Sequence, residues 1–116
     1  MTTLTEKKCQ PCQGIGKTLN HEQIQKYLGL TPGWQLDDQE KEIWREYNMK
    51  DFTNAVLTIN RIAEIAEAEN HHPDIHLTKY RKLKIVLSTH EMDGLTENDF
   101  ILAAKINALP MELKKL

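Results

Sequence analysis

Apolar positions along this chain change period several times, and each change marks an element. After Asn20, the spacing of Ile24, Tyr27 and Leu28 is helical. Asn20 and Gln23 form a capping-box pair, with Leu19 and Ile24 placed as a hydrophobic staple, so a helix is predicted from Asn20 to about Gly29. Leu30-Thr31-Pro32-Gly33 reads as a turn, because proline fixes one backbone angle and glycine permits positive φ. A short strand follows at Trp34 to Leu36. Across the charged Asp37 to Glu42 connection, Ile43, Arg45 and Tyr47 alternate with Trp44 and Glu46, giving a second strand and a hairpin. Asp51 is placed to cap a second helix with an apolar stripe at Phe52, Val56, Ile59, Ala63 and Ala66, widened by Ala55 and Ile62. Pro73 disfavours helical geometry at His72, so this helix should end close to the paired histidines, with Glu67 in its last turn. Asp74 to Thr78 reads as a short strand. Leu83, Ile85 and Leu87 alternate with Lys84, Val86 and Ser88 in a clearer strand expected to reach His90. After a Met92-Asp93-Gly94 loop, Thr96 and Asp99 form a second capping-box pair, with Leu95 and Phe100 as staple. It opens a helix along Ile101, Ala104, Ile106 and Leu109.

The order α-β-β-α-β-β-α defines an α+β fold, most simply a four-stranded antiparallel sheet with three helices packed on one face. At 116 residues, 40% apolar and 28% charged, the chain suits one domain. We place that domain at residues 19–116, with residues 1–18 as a flexible N-terminal arm. The formal charge of −2 disfavours direct nucleic-acid binding. The local cluster Lys79, Arg81, Lys82 and Lys84 fits the solvated face of a strand. No stretch has the length and apolarity of a membrane span or signal peptide, so a cytoplasmic protein is expected. Cys9 and Cys12 form an isolated CxxC pair. Without two further ligands it does not make a zinc site, and it is not set between a strand and a long helix as a redox motif would be.

Candidate chemistry is concentrated between Glu67 and Asp99. Glu67-Ala68-Glu69-Asn70-His71-His72-Pro73 is followed by Tyr80, His90 and Asp99. Three histidines with nearby acids can move protons near neutral pH, which points to acid/base work on a small molecule. Glu67 and His71 are four apart and share a helical face if the last turn extends that far, making Glu67 the candidate to orient His71. Asp99 is explained as a helix cap by its place after Thr96. His21 and His76 match no catalytic role. Metal binding is the competing chemistry, but neither an HExxH motif nor a Cys/His ligand grid is present.

An acid, three residues, His-His-Pro, six residues, an aromatic, nine residues, His, eight residues and Asp together resemble the signature of the pterin-4a-carbinolamine dehydratase family. The likeness extends from Gly33-Trp34 through Lys50-Asp51-Phe52 and Leu87-Ser88-Thr89-His90-Glu91 to Gly94-Leu95-Thr96-Glu97-Asn98-Asp99-Phe100. The resemblance implies the same α+β fold and a dehydration that forms quinonoid dihydropterin from 4a-hydroxytetrahydropterin, recycling pterin after aromatic amino-acid hydroxylation. It implies His71, His72 and His90 as catalytic residues. It also implies that Glu67, Pro73, Thr89, Glu91, Met92, Trp34 and Asp99 join these histidines in contacting the pterin. It implies no cofactor or metal, a homodimer or homotetramer, and an aromatic amino-acid hydroxylase as a functional partner.

Six residues separate Pro73 from Tyr80 where some relatives have five, and Met92 stands where some have cysteine. His72 occupies the most variable histidine slot. The alternative function is a non-catalytic binding, dimerisation or assembly protein on the same scaffold. Animal relatives pair with a homeodomain transcription factor, and some plant relatives are linked to carboxylase assembly. Retention of all three histidines favours chemistry.

Overall fold

Asn20 begins the first helix as its side chain dictates: Oδ1 accepts the Gln23 N–H and Gln23 Oε1 accepts the Asn20 N–H, both at 2.9 Å. This computed structural model describes residues 3–11 and 14–115, so Cys12 and the CxxC pairing lie outside the described residues. The elements are α1 (His21–Leu30), β1 (Gln35–Leu36), β2 (Ile43–Asn48), α2 (Phe52–Glu69), β3 (Asp74–Thr78), β4 (Lys82–Leu87) and α3 (Glu97–Asn107). Single 3-10 turns occur at Leu4–Glu6 and His90–Met92.

The four strands form one antiparallel sheet in the order β1-β2-β4-β3, which joins the two expected hairpins through β2 and β4. Tyr47 faces Leu83, and Leu83 also faces Leu77; Ile43 faces Leu87. These inward residues of β2 and β4 are buried beneath the helices, whereas Glu46, Lys84 and His76 line up across the opposite face. α3 runs through the middle of the helical layer and is buried from Asn98 to Ala104. Its Phe100 stacks on Tyr27 of α1 with ring centroids 5.1 Å apart.

Two expected features shift. β4 ends at Leu87, and the chain then makes a separate bridge from Thr89 to Gly94. On α2 the buried positions are Ala55, Thr58, Ile62 and Ala66. Phe52 is 54% exposed and Val56 36%, so the stripe centred on them is rotated away from the core. Apolar residues occur on two sides of this helix. The buried side is the one whose small Ala and Thr side chains permit close approach.

The N-terminal segment lies against the helices. Leu4 joins the core, and Lys7 Nζ donates to Glu97 Oε2 at 2.8 Å. Tyr27 donates its hydroxyl to the same oxygen at 2.7 Å. Burial raises the Glu97 pKa, but the bonds from Lys7 and Tyr27 outweigh it and hold the carboxyl below its ordinary value. Burial and this carboxylate push the Tyr27 hydroxyl up to about 12.

Gly33 takes φ 89° in the turn before β1, and a Cβ there would come within 2.4 Å of the Arg45 guanidinium carbon. Arg45 is held by Pro32 O and by Asn107 Oδ1, so it cannot yield without losing those bonds. Gly33→Ala is expected to lower stability by about 1–3 kcal/mol, measured by urea unfolding.

Candidate active site

α2 ends in a way that sends its two histidines to different partners. Asn70 adopts the left-handed conformation at φ 52°, and the His71 N–H turns back to the Ala66 carbonyl at 3.2 Å. His71 therefore leaves the helical face of Glu67. Its Nε2 instead meets Asp99 Oδ1 of α3 at 2.7 Å, and Glu67 pairs with His72. This corrects the expected Glu67–His71 arrangement: the left-handed cap breaks the four-residue spacing that the pairing required.

The Asp99 carboxylate is fully buried, and the His71 side chain is only 10% exposed. Asp99 Oδ2 accepts the Thr96 N–H at 3.0 Å and the Thr89 hydroxyl at 2.8 Å. Asp99 thus both closes the capping box on Thr96 at the start of α3 and partners His71. An ionised carboxylate only accepts, so in this pair the His71 ring donates through Nε2.

Thr89 connects this pair to the third histidine. The His90–Met92 turn follows directly from Thr89 and closes on Asp93 in the left-handed conformation. His90 and Glu91 are exposed, and Met92 is half-buried. The connection between β1 and β2 also holds this segment: Ser88 Oγ donates to the Lys41 carbonyl at 2.8 Å, and Lys41 Nζ reaches Asp93 Oδ2 at 2.9 Å. Asp99, in the first turn of α3, ties together two segments, one carrying Glu67, His71, His72 and Pro73 and the other Thr89, His90, Glu91 and Met92.

Trp34 is placed apart from them. It is buried, and its indole donates to Asn107 Oδ1 at 2.9 Å. Asn107 is eight residues beyond Asp99, or about 12 Å along α3. Asn70, Lys41 and Asp93 were missed as positioning residues. Only Asn70 carried a usable sign, since asparagine tolerates the left-handed helix cap.

Clefts of about 270 and 520 Å³ adjoin Tyr27 and Glu97, and no histidine lines either one. The histidines belong instead to the region around Asp99, whose buried carboxylate bonds His71 directly and Thr89, the residue before exposed His90, through its hydroxyl. Among the described residues, no group of three or more His, Cys, Asp or Glu is arranged to hold a metal ion. Among the described residues, no helix is long and apolar enough to cross a membrane.

Fold and site together define an α+β protein with a histidine-carboxylate centre at the junction of two helix ends. The pterin 4 alpha carbinolamine dehydratase family model matches residues 17–109, and the chain belongs to this family of hydro-lyases. The chain is 42% identical to the Arabidopsis thaliana protein named pterin-4-alpha-carbinolamine dehydratase 2, mitochondrial, over 97% of this chain and 62% of that one. It is 44% identical to a Halorhodospira halophila protein named as a candidate dehydratase of the same kind, over 92% of this chain and 97% of that one. A Brucella melitensis crystal structure titled transcriptional coactivator/pterin dehydratase superposes with a TM-score of 0.74 at 33% identity, covering 79% of this chain and 97% of that one.

Asp99→Asn should retain much of the α3 cap, because asparagine can also accept the Thr96 N–H. Its amide, however, can present a donor to His71. The expected result is a shift of His71 toward the Nδ1–H tautomer, read from imidazole ¹⁵N chemical shifts, with a stability loss of no more than about 2 kcal/mol.

Proposed function

We propose that this protein dehydrates a 4a-hydroxytetrahydropterin to the quinonoid dihydropterin through histidine acid/base catalysis. The observation carrying the mechanism is the buried His71–Asp99 pair, linked through Thr89 to the segment bearing His90. In the reaction, a ring N–H loses its proton and the released electron pair forms a C=N bond. The carbon-oxygen bond breaks as the departing hydroxyl takes a proton and leaves as water. His71, through Nδ1, and His90 divide these two transfers. Exposed His72, paired with Glu67, contributes at the rim. The pterin is the substrate, and neither a metal nor a further cofactor is required.

Each positioned acid or base contributes about 10²–10⁴ in rate. His71→Ala is therefore expected to slow decay of enzymatically generated 4a-hydroxytetrahydropterin by roughly 10² or more, followed by ultraviolet absorbance. Wild-type-like turnover in both His71→Ala and His90→Ala would overturn this mechanism. A cytoplasmic setting and an aromatic amino-acid hydroxylase as supplier of substrate complete the reading.

The exposed face of α2 favours a second role in assembly, because Phe52, Val56 and Leu57 leave substantial apolar area uncovered. We infer that this face joins copies of the chain as a homodimer or homotetramer. Phe52→Glu should lower the assembly state in sedimentation equilibrium. An unchanged mass in Phe52→Glu and Val56→Glu would remove this face from the interface.

A further inference from the structure

The His71–Asp99 pair is made between the residue two positions beyond the end of α2 and a residue in the first turn of α3. A separate segment, remote in sequence, crosses the same two helix ends. The Cys9 N–H donates to Glu69 Oε1 at 2.8 Å. The next residue, Gln10, is gripped twice by Asn98: its N–H donates to Asn98 Oδ1 at 2.9 Å, and its carbonyl accepts from Asn98 Nδ2 at 2.8 Å.

Glu69 is the final residue of α2, two before His71, and Asn98 immediately precedes Asp99. Both anchors are well buried: the Glu69 side chain is 5% exposed and Asn98 3%. Lys105 Nζ lies 3.5 Å from Glu69 Oε2, adding a charge contact between α2 and α3. Burial raises the Glu69 pKa, but the Cys9 N–H and Lys105 outweigh it and keep the carboxylate below its usual range. Burial, followed by the field of Glu69, pushes the Cys9 thiol up to about 12, so it remains a neutral donor 3.6 Å from the Asn98 carbonyl.

We propose that Cys9-Gln10 is a strap that fixes the separation of the α2 end and the α3 start, with Glu69 and Asn98 as positioning residues for the His71–Asp99 pair. The assignment of this pair to catalysis rests on the function proposed above, but its geometry can be tested independently. Neither anchor is proposed to touch the pterin. They act by holding a 2.7 Å bond in register, and misplacement by about 1 Å can cost a site up to about 10²-fold in rate.

The test compares Glu69→Ala, Glu69→Gln and Asn98→Ala in the full chain. Imidazole ¹⁵N shifts report the His71 tautomer, and steady-state assays separate kcat from KM. Glu69→Ala and Asn98→Ala should convert the single Nε2–H signature of His71 to a mixed one and lower kcat about tenfold, with KM changed less than about twofold. Glu69→Gln retains an oxygen acceptor for the Cys9 N–H and should largely restore both readouts. If the His71 signature is unchanged in both alanine variants while their thermal midpoints fall, the segment is only a structural staple and the proposal is wrong. The imidazole readout gives this answer even if the unmodified protein does not dehydrate the pterin, separating failure of the strap from failure of the functional reading.

Discussion

The buried carboxylate of Asp99 is the constraint around which the site is arranged. A desolvated carboxylate is costly unless donors surround it. Here the donors come from three directions: the His71 ring beyond α2, the Thr89 hydroxyl after β4, and the Thr96 N–H at the start of α3. The electrostatic demand of one side chain thus draws together three parts of the chain. Removing a donor leaves a buried acceptor less satisfied as well as releasing a segment. Capping of α3 and orientation of the His71 imidazole are consequently inseparable at this position.

Those three directions also explain the division between rigid and accessible groups. His71 is almost covered and has one nitrogen committed to Asp99, which fixes its tautomer. His72 and His90 are exposed, and the latter sits on a short turn bounded by left-handed Asp93. The Lys41 carbonyl and ammonium hold the two sides of that turn through Ser88 and Asp93. One nearly covered imidazole, tied to a buried carboxylate, thus contrasts with two solvent-facing ones on the neighbouring stretches of chain.

Much of this architecture was legible because local signals were strong. Asn20 with Gln23, Asp51 before Phe52, and the alternation of Leu83, Ile85 and Leu87 place helix starts and a central strand with little dependence on the remainder of the fold. The facing of α2 was less legible, since apolar residues occur around much of its circumference and only tertiary packing selects Ala55, Thr58, Ile62 and Ala66. The signature collected most of the candidate site, but it did not reveal which acid serves which histidine. That choice depends on one backbone angle at Asn70. Trp34 stands next to a conspicuous turn, yet its indole is drawn to Asn107, a partner 73 residues away.

The placement of Cys9 and Gln10 also bears on the order in which the site reaches its final form. His71 and Asp99 are 28 residues apart, whereas Gln10 and Asn98 are separated by 88. By loop-closure entropy, the longer connection costs about 1 kcal/mol more to form from an open chain. The region from α2 to α3 can therefore bring His71 and Asp99 together before the amino-terminal residues dock across it. Those residues are synthesised well before Asn98, yet their contacts with it can form only once it has emerged, making completion of the site a late event in the life of each new chain.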